Sequence, residues 1–281
     1  YTLSLHDALP ISVCYDFDKT LSPNDMQAQG YIQENYGDDI KACWEETNSL
    51  GAQNNMDQNL AYMFMMKVKA RGKNLFTRQV LEEYGSKVAL YEGVDTWFDR
   101  VKKIGEENGV IVEHYIISSG LLEMIEGTAP ARAGAFKKIY ASSFLYDSDG
   151  VAVWPAQVVN YTNKTQFLFK INKGILNIHD SEKINSSVPE EEKRVAFSNM
   201  IYLGDGETDV PCMKLVRQLG GNSIAVYNSS EESKAVAQRL YQQNRVSFIC
   251  PSDYSEGSRA EEIVTKLIRK IKADDALSSL R

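Results

Sequence analysis

Ile11-Ser12-Val13-Cys14-Tyr15-Asp16-Phe17-Asp18-Lys19-Thr20-Leu21 decides the fold. A short run rich in β-branched and aromatic residues passes directly into two carboxylates one residue apart. Such a run reads as a strand covered on both faces, the pattern of parallel sheets. In open α/β sheets ligands gather beyond the carboxyl ends of the strands, so Asp16 and Asp18 emerge where a site belongs. A D-x-D-x-T string arises by composition in about one chain of this length in twenty, so its meaning depends on its surroundings.

Outward from that strand, similar runs occupy 113–118 (EHYIIS), 138–145, 200–205 (MIYLGD), 223–227 (SIAVY) and 245–250 (RVSFIC). Helical periodicity lies between most of them, at 95–107 and 208–219 for example. Strands alternating with helices predict an α/β fold with a doubly wound parallel sheet. Residues 22–92 break the rhythm and read as consecutive helices inserted after the first strand. Ser22-Pro23 predicts a helix start, with Ser as N-cap and Pro at the first helical position. A helix is expected over 54–71, and Thr77 opens another. Asp147-Ser148-Asp149-Gly150 predicts the turn of a hairpin within 138–158. Residues 177–194 read as a polar surface loop leading into a short helix, and 260–272 as a charged helix.

Composition narrows the class of function. The 281 residues carry 31 Lys and Arg against 38 Asp and Glu, a formal charge of −7. That acidic surplus, without a basic block, argues against a general nucleic-acid binder. The longest apolar runs are far shorter than a membrane span, so no membrane association is expected. Cys14, Cys43, Cys212 and Cys250 lie far apart with no C-x-x-C pair and read as buried free thiols, which points to the cytoplasm. Residues 1–12 (YTLSLHDALPIS) have neither the basic start nor the cleavage site of a secretory signal. They resemble the peptide encoded by sequencing-adapter DNA and are expected to be a non-native segment, His6 included. His114 and His179 are too isolated to form a metal or acid–base pair.

Three further motifs end in chemistry. Gly204-Asp205-Gly206-Glu207-Thr208-Asp209 follows an apolar strand. As plain structure it is a tight strand-to-helix turn, with glycine at positive φ and Thr208 or Asp209 capping the next helix. As a site, it would join Asp16 and Asp18 in an acidic group that needs a hard cation, for which Mg2+ is the natural candidate. Tyr115-Ile116-Ile117-Ser118-Ser119-Gly120 ends a strand with a hydroxyl and backbone N–H groups, a setting for an anion or a simple helix cap. Lys164, in Asn163-Lys164-Thr165-Gln166, opens a helix, where a lysine is ordinarily a solvated charge.

In this order the four motifs resemble those of the haloacid dehalogenase superfamily, across residues 11 to about 250. The inserted helices look like the helical C1 cap of its phosphoserine phosphatase-like branch. The resemblance implies a core of 11–21 and 93–281, a cap of 22–92, and Mg2+-dependent hydrolysis of a small phosphomonoester. It implies Asp16 as the nucleophile that forms an aspartyl-phosphate, and Asp18 as the acid and then the base. It assigns Ser118, Ser119, Lys164 and Thr20 to the phosphate or its loop. It places the metal on Asp16, the Asp18 carbonyl and Asp205, with Asp209 bound directly or through water. An acid two residues after the nucleophile is unlike the dehalogenases, and Phe17 replaces the lysine of the transport ATPases.

The substrate is left open. Asp25 stands where the phosphoserine enzymes meet the substrate ammonium, yet it is equally the third residue of the helix expected at Ser22. Tyr62-Met63-Phe64-Met65-Met66 reads as core, with a pocket lining as the alternative. A phosphotransferase with the same intermediate, and a non-catalytic module that binds Mg2+ and phosphate, are the competing functions.

Overall fold

The computed structural model describes residues 9–73, 75–180, 184–189, 192–278 and 280. Among them, seven strands form one sheet: β1 (Leu9–Tyr15), β2 (Val110–Leu121), β3 (Phe136–Tyr146), β4 (Ala152–Gln157), β5 (Met200–Gly204), β6 (Asn222–Tyr227) and β7 (Phe248–Pro251). Their order is β4-β3-β2-β1-β5-β6-β7. Only the β3–β4 hairpin is antiparallel, turned at Asp147, whose Oδ1 accepts from the N–H groups of Asp149 and Val151. The chain moves from β1 to β2 on one side and returns to β5 on the other. The strand order therefore reverses at the carboxyl end of β1, where such sheets open a crevice.

Side chains alternate along the buried strands, as the period of two requires. Val13, Tyr15, Ile116, Ile201 and Leu203 face one layer, while Cys14, Tyr115, Ile117, Met200 and Tyr202 face the other. The first layer holds α5 (Val94–Glu107) through Trp97, Phe98 and Val101, and the long C-terminal helix (Arg259–Ser278) through Val264, Leu267 and Ile268. The second holds the helix Lys164–Lys173 and the helix Val210–Gln218. The α/β doubly wound architecture is as expected.

Between β1 and α5 lie α1 (Tyr31–Asn35), α2 (Ile40–Asn54), α3 (Gln58–Ala70) and α4 (Arg78–Gly85). Helix α4 begins where expected, with the Thr77 hydroxyl accepting from the Val80 N–H. It packs against α6 (Leu122–Gly127) so closely that a Cβ at Gly127 would lie 2.0 Å from the Glu82 carbonyl oxygen. Tyr62 donates to the Ser119 carbonyl, Asn59 to the Val159 carbonyl and Asn160 to Asp57, tying α3 to the sheet's loops.

Several expectations are corrected. No α-helix starts at Ser22: the segment bends, forms a 3-10 turn at Met26–Ala28, and becomes α-helical only at Tyr31. The Ser22 N–H donates to Phe17 O, its hydroxyl donates to Asn24 O, and the Met26 N–H donates to Asp18 Oδ1. Those bonds hold the loop after β1 in place of a helical turn. The helix expected from 54 starts at Gln58, because Asn55 ends α2 in a left-handed conformation and Asp57 caps α3. Within it Tyr62, Met63, Met65 and Met66 are buried, whereas Phe64 is exposed.

Strand β1 takes in residues 9–12 of the stretch read as non-native. Leu9, Pro10, Ile11 and Ser12 pair with Val110 to Glu113, and Ile11 and Ser12 are fully buried. Residues 1–8, with His6, lie outside the described residues, as do 181–183 and 190–191 of the expected loop 177–194. All four cysteines are buried free thiols. Among the described residues no helix is long and apolar enough to cross a membrane.

Candidate active site

The loop after β1 places its two acids by burying the residue between them. Phe17 is 1% exposed and its carbonyl accepts from the N–H groups of Thr20, Leu21 and Ser22. Lys19 takes φ +58° to complete the turn. Asp16 and Asp18 both line a cleft of about 560 Å3 at the carboxyl end of the central strands, with Ser118, Ser119, Lys164 and Asp205.

Lys164 is not a solvated charge. It is 1% exposed, and its Nζ lies 3.0 Å from Asp16 Oδ1 and 2.8 Å from Asp209 Oδ1. The preceding loop fixes that position: Asn160 Oδ1 accepts from the Thr162 and Asn163 N–H groups, and the Asn160 carbonyl accepts from the Lys164 N–H. The helix thus begins at Lys164 itself. Burial alone would strip the ammonium of its proton, but Asp16 and Asp209 outweigh it and raise the pKa.

Asp16, Asp205 and Asp209 come together with oxygens within 4.8 Å of one another. Burial, and then repulsion from Asp209, raises the Asp16 carboxyl, and the same two causes raise Asp205, with Asp16 adding to its repulsion. Asp209 is fully buried and does not cap the helix after it; Oδ1 accepts from Lys164 and from the Tyr202 hydroxyl at 2.8 Å. Its Oδ2 is buried without a hydrogen-bond partner among the described residues. An orphaned carboxylate oxygen among crowded acids fits a hard divalent cation, whose charge would offset both the repulsion and the desolvation. Gly204 makes room for this carboxylate, since a Cβ there would lie 2.5 Å from Asp209 Oδ2. It does so without the positive φ expected of a turn glycine.

Asp18 points elsewhere. Its Oδ1 accepts from the Met26 N–H at 2.8 Å. Burial, followed by the charges of Asp25 and Asp16, raises its pKa well above that of an ordinary carboxyl. Ser118 is buried and its hydroxyl accepts from the Gly120 N–H. Strand β2 continues through Leu121, but its pairing with β3 shifts register between Ile117 and Leu121, at the stretch that lines the cleft.

Two expected residues sit differently. Thr20 is fully buried beneath the loop and does not line the cleft; its hydroxyl has no partner among the described residues, while its carbonyl accepts from Tyr254. Asp25 lines the cleft but pairs with Lys19 Nζ at 2.9 Å, so the helix-capping alternative falls away with the helix. His114 is buried and His179 exposed, and neither lines the cleft. Sequence reasoning missed Lys19, Tyr202 and Asn160. Tyr202 was findable from strand alternation, which puts it on the same side as Lys164's helix; Asn160 had only a loop's composition.

A family model for haloacid dehalogenase-like hydrolase matches residues 13–214. The chain belongs to that family of hydrolases. An uncharacterized protein of Borreliella burgdorferi (strain ATCC 35210 / DSM 4680 / CIP 102532 / B31) is 26% identical over 275 residues, covering 89% of this chain and 93% of that protein. Among solved structures, a HAD family hydrolase from Salmonella enterica subsp. enterica serovar Typhi superposes with a TM-score of 0.51 at 19% identity, over 78% of this chain. This chain covers 63% of that longer protein. A phosphoserine phosphatase solved as a phospho-aspartyl intermediate analogue gives 0.52 at 12% identity, covering 92% of this chain and 99% of its own. At these identities the likeness is one of fold.

Proposed function

We propose that the protein is a Mg2+-dependent phosphomonoester hydrolase that works through an aspartyl-phosphate on Asp16. One observation carries the reading: a buried lysine bridges Asp16 and Asp209 within an acidic cluster, while a second acid, two residues from Asp16, is held apart and proton-retaining. Nucleophile and acid are thereby differentiated by their surroundings.

Asp16 attacks phosphorus as the bond to the leaving oxygen breaks, and Asp18 gives that oxygen its proton. Asp18, now a carboxylate, takes a proton from the water that cleaves the Asp16–phosphorus bond, releasing inorganic phosphate and restoring both groups. Ser118 and Lys164 hold the phosphoryl oxygens, and Lys164 keeps Asp16 ionised and aimed. Asp16, Asp205, Asp209 and the Asp18 carbonyl would hold Mg2+, which when bound offsets charge on the acids and on the phosphoryl group. Residues 22–92 act as a helical cap over a core of 11–21 and 93–281. Thr20 supports the loop from below. The substrate is a small molecule, and the four free thiols suit a cytoplasmic setting.

The test is release of p-nitrophenol from p-nitrophenyl phosphate. Turnover is expected with Mg2+, lost with EDTA, and lost in Asp16→Asn; turnover retained by Asp16→Asn overturns the reading.

A further inference from the structure

The cleft has a second lobe that the hydrolytic groups do not use. A chamber of about 340 Å3 opens beside Asp18 toward α2 and α3 and is lined by Gln27, Trp44, Asn48, Gln58, Asn59 and Tyr62. Asp18, which protonates the leaving oxygen in the reading above, also lines it. Gln27 is 3% exposed, and its amide has no hydrogen-bond partner among the described residues. Gln27 lines the chamber and is not among the residues with sealed, unsatisfied polar atoms, so its amide is open to whatever the chamber holds. The Trp44 indole N–H is likewise without a partner among the described residues. The Tyr62 hydroxyl is already bound to the Ser119 carbonyl, so Tyr62 offers its ring.

Charge excludes two classes of leaving group. No lysine or arginine lines the chamber, so a carboxylate there would meet Asp18 and Asp25, with Lys19 beside it already paired to Asp25. An ammonium would compete with Lys19, which holds Asp25 at 2.9 Å. Ring geometry disfavours a third. Trp44 and Tyr62 meet edge to face, centroids 6.3 Å apart and planes at 75°, so a flat base would be held on one face only and not between two rings. One aromatic face, one corner and unpaired donors suit a non-planar ring or chain with C–H and O–H groups.

We infer that the chamber receives an uncharged polyhydroxylated leaving group, so that the substrate is a sugar or polyol phosphate, with Gln27 and Trp44 as its specificity residues. This rests on the phosphatase reading above. Trp44 takes the C–H face of the leaving group, and the Gln27 amide donates to one hydroxyl and accepts from another.

The experiment measures phosphate release by the full chain with Mg2+ from glucose phosphate, glycerol phosphate, O-phosphoserine and cytidine monophosphate, with p-nitrophenyl phosphate as reference. At least one of the first two should show kcat/KM about tenfold or more above phosphoserine and cytidine monophosphate. Gln27→Leu, close in size and free of the unpaired amide, should lower kcat/KM for that ester relative to the reference by about tenfold, through KM. Trp44→Leu should act in the same direction. Preference for phosphoserine or the nucleotide, no preference, or an unchanged ratio in Gln27→Leu overturns this inference while reference turnover leaves the phosphatase reading standing. No turnover of any ester, the reference included, overturns both.

Discussion

Asp16 and Asp18 are neighbours to which the proposed mechanism gives opposite tasks, and their surroundings separate them. Burial and Asp209 raise Asp16 to about 6 against the pull of Lys164, whereas burial, Asp25 and Asp16 raise Asp18 well above an ordinary carboxyl, with no lysine among the described residues bonded to it. Asp18→Asn should therefore lower kcat by about 10²- to 10⁴-fold on an alkyl phosphate. The loss should be much smaller on p-nitrophenyl phosphate, whose leaving oxygen needs little protonation. Equal losses on both esters would contradict the assignment. The four motifs were legible because each is a short string at a strand or helix end. What was not legible is pairing across the fold: Lys164 looked like a surface charge, and Thr20 like a phosphate ligand, because neither burial nor partners are written locally. Asp25 read equally as an ammonium site or a helix-start carboxylate, and its pairing with Lys19, six residues before it, was not written locally.

Strands and most helices follow from periodicity, and the exceptions are places where tertiary bonds overrule local signals. Ser22-Pro23 has the composition of a helix start, yet the Met26 N–H is committed to Asp18 and the Ser22 N–H to Phe17. The catalytic loop consumes the donors that a helix would use. The contact of α4 with α6 was equally invisible, since glycines inside apolar stretches give no hint of what they approach. A methyl on Gly127 would meet backbone 2.0 Å away, which cannot yield as a side chain does. Gly127→Ala should destabilise by about 1–3 kcal/mol, measured by urea unfolding. A change under a few tenths would show that the two elements separate readily.

Across the whole molecule, one buried titratable group outside the cleft links the sheet to its first helical layer. Trp97 Nε1 donates to the Tyr15 hydroxyl, Tyr15 donates to His114 Nδ1, and His114 Nε2 donates to the Phe98 carbonyl. That chain requires a neutral imidazole. Burial, reinforced by the charge of Lys102, pushes its pKa down to about 3. A depressed folded value means that the neutral ring's contribution is complete above about pH 6.5 and is lost as pH falls toward 3, at up to about 1.4 kcal/mol per pH unit. His114→Asn should be less stable than the parent at pH 7, yet lose stability less steeply between pH 7 and 5. An unchanged slope would contradict the account. At this scale the sequence showed the α/β class, the inserted helices and a first strand from Ile11, but left out Leu9 and Pro10, which pair with Val110 and Ile111 and extend that strand.

The claim on which the rest depends is the covalent bond at Asp16. Enzyme mixed with excess phosphomonoester and Mg2+, quenched in acid within the first turnovers and mapped by mass spectrometry, measures it directly. The account predicts a phosphoryl group on the peptide containing Asp16, absent without Mg2+ and absent in Asp16→Asn. Turnover with no phosphoryl group there, or with the group on another residue, would contradict it.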